Sequence, residues 1–200
     1  MTQAAGTGGD LRTRVRDGVR DQVRLTAVDL MLDRGYAATT VEQIVQACGV
    51  SRRSFYRYFG TREDLVLGDT GEQIAVLTAA LTARPLAEDA WTALQRAAES
   101  LPDAAQPAER AFGVARMING DPDLRARRRE KYDAWRSALT PLIVERAELA
   151  GSPLSPLGAS ALVACALSCL ETAVEAWVDQ GGRGTLESFS AEAVVAVRGL

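Results

Sequence analysis

The apolar positions between Thr39 and Leu65 recur at helical spacing, stop at a glycine, and then start again. The first apolar set falls at i, i+3, i+4 and i+7 and forms one face of a two-turn helix: Val41, Ile44, Val45 and Cys48. Thr40 stands directly before this helix, where it can cap it, and Gly49 follows, where a helix end needs a residue that tolerates positive φ. Ser51 is a second N-cap, and Phe55 and Phe59 give the next helix a buried side. The pattern predicts two short helices joined by a tight turn.

The other face of the second predicted helix is cationic or hydroxyl-bearing. Its members are Arg52, Arg53, Ser54, Tyr56, Arg57 and Tyr58. A face that only had to be solvated would more often carry Glu, Lys and Ala. Arginine forks can pair with guanine in the major groove, while Tyr and Ser hydroxyls suit phosphate oxygens. A short helix, a tight turn and a basic second helix indicate a helix-turn-helix.

The run RGYAATTVEQIVQACGVSRRSFYRYFGTREDLVL resembles the N-terminal DNA-binding domain of the TetR family of bacterial transcriptional regulators. The similarity rests on RGY-x-x-TT, on the helix ending in A-C-G-V-S, on Y-R-Y-F and on T-R-E-D-L, and it covers roughly residues 14 to 70. It implies an all-α fold of about nine helices. An N-terminal three-helix helix-turn-helix DNA-binding domain would precede a C-terminal helical domain for ligand binding and dimerisation.

The resemblance also implies roles for single residues. Those expected to read bases are Arg52, Arg53, Ser54 and Tyr56. Those expected on phosphates are Thr40, Arg57, Tyr58 and Arg62, with Tyr56 able to join them and Arg57 able to do either. Double-stranded DNA is therefore the expected macromolecular partner.

The remaining helices follow from apolar stripes and from glycine and proline breaks. Residues 1–11 are small and polar and are expected to be a disordered tail; 12–60 would be the DNA-binding domain and 61–200 the regulatory domain. A first helix is expected from about Thr13 to Arg34. Thr61, with Asp64 as a capping-box acid, would start a fourth helix that runs to Arg84 before Pro85. Later helices are expected at about 86–101, 104–118, 122–150, 156–180 and 185–198.

Charge divides the chain into a basic head and an acidic body. The 200 residues are 47% hydrophobic and carry a net charge of −3. Between Arg12 and Arg62 ten arginines face five acids, so that segment is basic and the rest is strongly acidic. This arrangement is expected when one end of a protein meets phosphate and the other does not.

Composition also bounds the chemistry. The chain has no His, the commonest metal ligand and catalytic base, so we expect no catalytic residue, no metal site and no cofactor. Of the three cysteines, Cys165 and Cys169 lie four apart; small buried residues or a redox or metal pair are the two interpretations. No apolar stretch reaches the ~18 residues of a membrane span, the segment Ala159 to Leu170 being too short, so a cytoplasmic location is expected.

In the family, the middle helices enclose a small molecule and the last two large helices form a dimer. Residues that would line a hydrophobic pocket, each of which could equally be ordinary core, are Trp91, Leu94, Phe112, Met117, Tyr132 and Trp135. Residues that would supply the homodimer interface, or else an intramolecular core, are Leu162, Leu167, Leu170, Val174 and Trp177.

One basic cluster fits none of these roles: Arg125, Arg127, Arg128, Arg129 and Lys131. It could bind DNA or an anion, or form a solvated face. For the whole chain we expect a ligand-responsive repressor that binds a palindromic operator as a dimer and is released by a small hydrophobic effector. The alternative is an architectural DNA-binding protein without an effector. An enzyme is disfavoured because no catalytic constellation is recognisable.

Overall fold

The computed structural model describes residues 7–101 and 106–199, with side chains from Gly18 onward. These residues form α-helices joined by short loops, and none of them lies in a β-strand. The helices are α1 Thr7–Arg34, α2 Val41–Cys48, α3 Arg52–Phe59, α4 Glu63–Leu67, α5 Thr70–Thr82, α6 Ala90–Ala98, α7 Ala108–Gly120, α8 Pro122–Leu149, α9 Pro156–Asp179 and α10 Leu186–Arg198. The chain divides into two compact units, unit 1 up to Val66 and unit 2 from Leu67 onward. The all-α prediction is confirmed.

Unit 1 is a small helical core built from α1, α2, α3 and the start of α4. Its buried apolar side chains come from every one of these helices: Val23, Ala27, Val28, Met31, Ile44, Phe55, Phe59, Leu65 and Val66. Tyr36 and Thr39, in the turn between α1 and α2, are buried with them. On α1 the buried face is formed by Val23, Ala27, Val28 and Met31, and this helix packs on α2, whereas Val19 and Leu25 are exposed.

Unit 2 has its core where α5, α6, α8 and α9 meet. The buried cluster contains Leu77, Leu81, Ala93, Leu94, Ala97, Trp135, Leu139, Ile143, Ala159 and Val163. Helix α7 packs on α8 and α9, and α10 packs on α9. Arg146 of α8 is buried, and its guanidinium donates to the carbonyl oxygens of Arg84, Pro85 and Glu88. This one side chain therefore holds the α5–α6 connection against α8.

Several helix boundaries differ from the sequence-based expectation, among them those of α6 and α7, which were expected at 86–101 and 104–118. Helix α1 begins at Thr7 rather than Thr13, so the expected tail overlaps it, while residues 1–6 lie outside the described part of the chain. The single helix expected from Thr61 to Arg84 is two helices, because Gly68 adopts a φ of 76° and Asp69 caps α5. The Leu67 carbonyl at the break accepts hydrogen bonds from Gln73 Nε2 at 3.0 Å and from Lys131 Nζ at 2.7 Å. Tertiary donors thus replace the helical hydrogen bond that the break removes.

Helix α9 is long and apolar enough, by length and composition alone, to cross a membrane. The expectation that no segment reaches that length was wrong, because Ser, Thr and Gly interrupt the apolar run without making it polar. Only 22% of its most apolar window is buried inside the protein. One face of α9 packs in the core of unit 2, and its exposed positions include Leu157 and the small residues Ala161, Cys165 and Ser168, with Glu175 and Asp179 near its end.

We predict that Gly68→Ala destabilises unit 2 by about 2 kcal/mol, because an L-residue is strained at positive φ. A Cβ there would also lie 2.5 Å from Gln73 Nε2, whose side chain is buried. Urea unfolding followed by tryptophan fluorescence measures this, since Trp91, Trp135 and Trp177 all lie in unit 2. Gly120→Ala is the control, because a Cβ there meets nothing within 4 Å. An unchanged urea midpoint for Gly68→Ala would contradict the prediction.

Candidate nucleic-acid interface

Local capping fixes the two helices of the predicted helix-turn-helix. Thr40 and Gln43 form a reciprocal capping box at the start of α2, with Gln43 N donating to Thr40 Oγ1 at 3.3 Å and Thr40 N donating to Gln43 Oε1 at 2.8 Å. Gly49 ends α2 in the left-handed conformation, at φ 66°. Ser51 Oγ then caps α3 by accepting from Ser54 N at 3.1 Å. These caps and the glycine stop are confirmed.

Two aromatic rings determine which face of α3 is exposed. Phe55 and Phe59 are buried, and their ring centroids lie 5.6 Å apart. Because they are four residues apart, they occupy one side of the helix and direct the opposite side outward.

The outward face of α3 is a dense cationic surface. Arg52, Arg53, Tyr56 and Arg57 are exposed, while Ser54 and Tyr58 are half-buried. The Arg52 guanidinium lies 5.7 Å from the Tyr56 ring centre, and Arg57 Nη2 donates to the Tyr58 hydroxyl at 3.2 Å. Arg53 and Arg57 are neighbours one turn apart, and α3 itself contains no acid. Like charges at this spacing destabilise a helix slightly, so the sequence of α3 is better suited to an anionic partner than to isolation.

A single carboxylate faces this surface within the described part of unit 1. Glu42 Oε1 of α2 lies 2.8 Å from Arg52 Nη1. The two side chains are 61% and 65% exposed, respectively, so the ion pair contributes little and Arg52 can leave it at low cost.

Arg62 does not have the geometry expected of a phosphate contact. Its Nη1 donates to the carbonyl oxygens of Thr39 at 2.7 Å and Tyr36 at 3.2 Å, and its Cζ lies 4.0 Å from the Tyr36 ring centre. The side chain is 26% exposed. The guanidinium is therefore directed into the α1–α2 turn, a partner that its position after Thr61 in the sequence did not suggest.

Other arginines of the basic head also have partners inside unit 1. Arg24 Nε donates to the Leu65 carbonyl at 3.0 Å, and the Arg20 guanidinium lies 5.9 Å from the Phe59 ring centre. The side chains of Arg12, Arg14 and Arg16 lie outside those that the structure describes. Part of the positive charge counted in the sequence thus holds unit 1 together.

The residues predicted to line a ligand pocket separate into groups in unit 2. Leu94 and Trp135 share the central core, and Tyr132 packs against that core with its ring centre 5.6 Å from that of Trp135. Burial raises the pKa of Tyr132 to about 12. Phe112 instead packs on Trp177, with ring centres 5.3 Å apart. Trp91 is buried and Met117 is half-buried.

Unit 2 also has an open groove of about 560 Å³ that the sequence did not indicate. Its lining comes from α8 and the start of α9 and includes none of the six predicted pocket residues: Arg136, Ser137, Thr140, Pro141, Val144, Pro156 and Ser160.

The basic cluster on α8 is neither a uniform solvated face nor an open anion site. Arg128 is buried, and it donates to Asn119 Oδ1 at 2.8 Å and to Glu171 Oε1 at 2.9 Å. Arg125 donates to the Asn119 carbonyl and Lys131 to the Leu67 carbonyl, while Arg127 pairs with Glu130. Most of the cluster therefore ties α8 to neighbouring segments.

The five residues predicted at a dimer interface differ in exposure. Leu162, Leu167, Leu170 and Val174 are half-buried, whereas Trp177 is 4% exposed and leaves little surface for a partner. The exposed stripe of α9 lies elsewhere and, apart from Leu157, is made of small or polar residues: Leu157, Ala161, Cys165, Ser168, Thr172, Glu175 and Asp179.

A capped helix-turn-helix with an exposed cationic second helix, followed by a separate helical unit, defines a class of DNA-binding regulator. The family model described as "Bacterial regulatory proteins, tetR family" matches residues 25–68, and that of the "MftR C-terminal domain" matches residues 85–198. Because the second match alone spans more than half of the chain, the chain belongs to the TetR family. Members of this family are transcriptional regulators with an N-terminal DNA-binding domain, and not enzymes.

Individual relatives agree with this assignment. The chain is 36% identical over 96 residues to the HTH-type transcriptional regulator TcmR of Streptomyces glaucescens, a match that covers 48% of this chain and 42% of TcmR. The chain thus spans less than half the length of that relative. The fold is similar to that of the Bacillus subtilis regulator FadR, solved with stearoyl-CoA, with a TM-score of 0.58, 18% identity and coverage of 90% of this chain and 98% of FadR. A TetR-family structure from Mesorhizobium loti has a TM-score of 0.55 at 19% identity, covering 91% of this chain and 97% of that one.

We predict that Glu42→Gln strengthens binding to duplex DNA about two- to fivefold, because it removes a carboxylate beside Arg52 and frees that side chain. Fluorescence anisotropy with a labelled duplex of random sequence measures the change. Glu145→Gln in unit 2, which alters net charge equally on an exposed position, is the control. Weaker binding by the Glu42 variant would show that the ion pair instead orders Arg52 for DNA.

Proposed function

We propose that this protein is a repressor that binds a palindromic operator as a homodimer and releases it when a small effector binds unit 2. The observation that carries the DNA-binding part is the acid-free, exposed cationic face of α3. A regulator of this kind acts where the chromosome is, so we place it in the cytoplasm.

The base-reading residues in this proposal lie on the outward face of α3. Arg52, Arg53 and Tyr56 are exposed, and Ser54 lies beside them near the start of the helix. Exposed arginine forks at the N-terminal half of a recognition helix can pair with guanine O6 and N7 in the major groove. Arg53 is the simpler of the two to test, because Arg52 also forms the weak, exposed ion pair with Glu42.

The phosphate contacts in this proposal flank that face. Thr40 is exposed, and its hydroxyl accepts a hydrogen bond as the α2 cap while its proton stays available to donate. Arg57 and Tyr58 lie together at the end of α3, with the guanidinium 4.9 Å from the tyrosine ring centre. The guanidinium and the hydroxyl would meet the backbone on either side of the bases that the helix reads.

The exposed faces of α9 and α10 support the homodimer. Leu157 is 80% exposed on α9 and Val195 is 70% exposed on α10. Between Leu157 and Thr172 the exposed residues of α9 are the small, uncharged Ala161, Cys165 and Ser168. Small side chains allow two helices to approach closely, and a second copy would cover this surface by twofold symmetry. Symmetry would then place two α3 helices on half-sites about one helical turn of DNA apart, or a little more.

Unpaired donors in unit 2 support an effector with an oxygen acceptor. The indole Nε1 atoms of Trp91 and Trp135 are buried without a hydrogen-bond partner among the described residues. An unsatisfied buried donor costs about 1–3 kcal/mol, which an acceptor on a bound molecule would recover. We therefore infer a mostly apolar effector carrying a carbonyl, carboxyl or hydroxyl oxygen. Release of DNA requires that the effector bind the released state more tightly than the DNA-bound state.

Selection of bound sequences from random duplex DNA tests the proposal. Enrichment of one palindrome, bound far more tightly than random duplex, is the expected result. Binding without any enriched motif would favour an architectural protein that coats DNA. Mass spectrometry of the denatured protein for a co-purified small molecule must accompany the selection, because a resident effector would also abolish enrichment.

We predict that Arg53→Ala weakens binding to the selected palindrome by ~1–3 kcal/mol and relaxes the preference at one base pair of each half-site. The loss arises because the guanidinium would no longer discriminate the base that it contacts. Repeating the selection with the variant measures the preference directly. Arg57→Ala is the matched control one turn along α3, expected to weaken all sequences more evenly. Equal weakening on every sequence by Arg53→Ala would show that Arg53 contacts the DNA phosphate backbone instead of a base.

We predict that Ala161→Glu converts the dimer to monomers, because the substitution places a charge in the middle of the exposed α9 stripe. Sedimentation velocity across a concentration series reports the change. Ala126→Glu, on an equally exposed position of α8, is expected to leave the association unchanged. A persistent dimer in the Ala161→Glu variant would show that the interface lies on another surface.

A further inference from the structure

The side chain of Arg62 closes a small cluster beneath the start of α2. Its Nη1 bridges the carbonyl oxygens of Tyr36 and Thr39, and its guanidinium stacks 4.0 Å from the Tyr36 ring centre. The Tyr36 hydroxyl donates to Glu63 Oε1, and Arg62 Nε lies 3.9 Å from the same oxygen. Three side chains from two segments of unit 1 thus contact one another in a ring.

This cluster is mostly interior. Tyr36 is 5% exposed and Thr39 is fully buried, while Arg62 and Glu63 are roughly three-quarters buried. A hydrogen bond to a charged donor is about twice as strong as a neutral one, and burial of the carbonyl acceptors makes its loss costly. The guanidinium therefore contributes to the order of the turn that it crosses.

The turn held by Arg62 leads directly into Thr40. Thr39 Oγ1 donates to the Gly35 carbonyl at 2.8 Å, and Thr39 N donates to the same Tyr36 carbonyl that Arg62 contacts. The next residue, Thr40, caps α2 through Gln43 N, and its carbonyl accepts from Ile44 N at 3.1 Å. The orientation of the first turn of α2 thus depends on a carbonyl pair that Arg62 fixes.

We propose that Arg62 is a positioning residue for DNA binding, which holds the α1–α2 turn and hence Thr40 and the start of α2, instead of neutralising a phosphate. Its partner in this role is Tyr36. The Tyr36 ring stacks on the guanidinium, and the Tyr36 carbonyl oxygen accepts a hydrogen bond from it. Glu63 balances the charge and accepts from the Tyr36 hydroxyl. The exposed arginines of α3 have no comparable set of interior acceptors among the contacts that the structure describes.

Amide hydrogen exchange of the protein without DNA tests directly whether Arg62 and Tyr36 hold the α1–α2 turn. We expect Arg62→Leu and Tyr36→Leu each to accelerate exchange at Thr39, Gln43 and Ile44 about tenfold or more, with little change in α3 or in unit 2. Arg62→Lys should restore part of the protection, since an ammonium can reach the carbonyls but cannot stack as a plane. Arg57→Leu, on the exposed face of α3, should leave these amides unchanged. Unaltered exchange in the Arg62→Leu protein would overturn the proposal.

The salt dependence of DNA binding tests the consequence, using the duplex selected by the wild-type protein and a random duplex of equal length. A lost phosphate contact lowers the slope of log K against log salt by about 0.9 in magnitude. We expect that loss for Arg57→Leu. For Arg62→Leu and Tyr36→Leu we expect about tenfold weaker binding to the selected duplex with an unchanged slope, a loss equivalent to one charged hydrogen bond.

The double variant Tyr36→Leu/Arg62→Leu separates the two roles further. If both residues act through one cluster, the double variant binds no more weakly than either single variant. A reduced slope for Arg62→Leu, additive losses, or no loss of affinity would each refute positioning. A wild-type protein that binds no duplex would refute the DNA-binding function on which this second test rests. The exchange experiment would still show whether Arg62 holds the α1–α2 turn.

Discussion

The burial of Phe55 and Phe59 is the constraint on which the exposed cationic face of α3 depends. Two large rings four residues apart lie on one side of α3 and pack against the rest of unit 1. Arg53, Tyr56 and Arg57 therefore point outward. The hydrophobic gain from these rings offsets the repulsion between neighbouring arginines on an eight-residue helix that would be unstable alone. The side chains that stabilise unit 1 and the exposed cationic side chains therefore lie on opposite faces of α3.

The helix-turn-helix could be predicted from sequence because its determinants are local. Thr40, Gly49 and Ser51 each act within a few residues of their own position, and the structure has each in the predicted role. The break at Gly68 could not be predicted in the same way. A glycine is tolerated within many helices, and what favours the break here is a pair of donors, Gln73 and Lys131, to one carbonyl. Lys131 is distant in sequence, so no local pattern contains it.

Charge was the least reliable guide to the site. Counting arginines correctly indicated a basic head, yet Arg24 and Arg62 donate to carbonyl oxygens inside unit 1, and Arg128 of unit 2 is buried against Glu171. An arginine that holds a turn and one that meets phosphate look alike in a sequence, because the difference lies in which acceptors the fold brings within reach. Buried guanidinium groups also keep most of their hydrogen bonds, which makes them structural elements as much as charges.

The same contrast between sequence and fold applies to Trp177, one of the five residues predicted at a dimer interface on α9. Large apolar residues favour an interface because of the area that they can bury, but the largest of the five, Trp177, packs on Phe112 within unit 2. The helix positions left outside are occupied by Ala161, Cys165 and Ser168, which offer little area each. What they offer together is a smooth surface that permits close backbone approach. By length and composition α9 could cross a membrane, and in the dimer proposed above its exposed small residues would instead meet the same helix of a second copy.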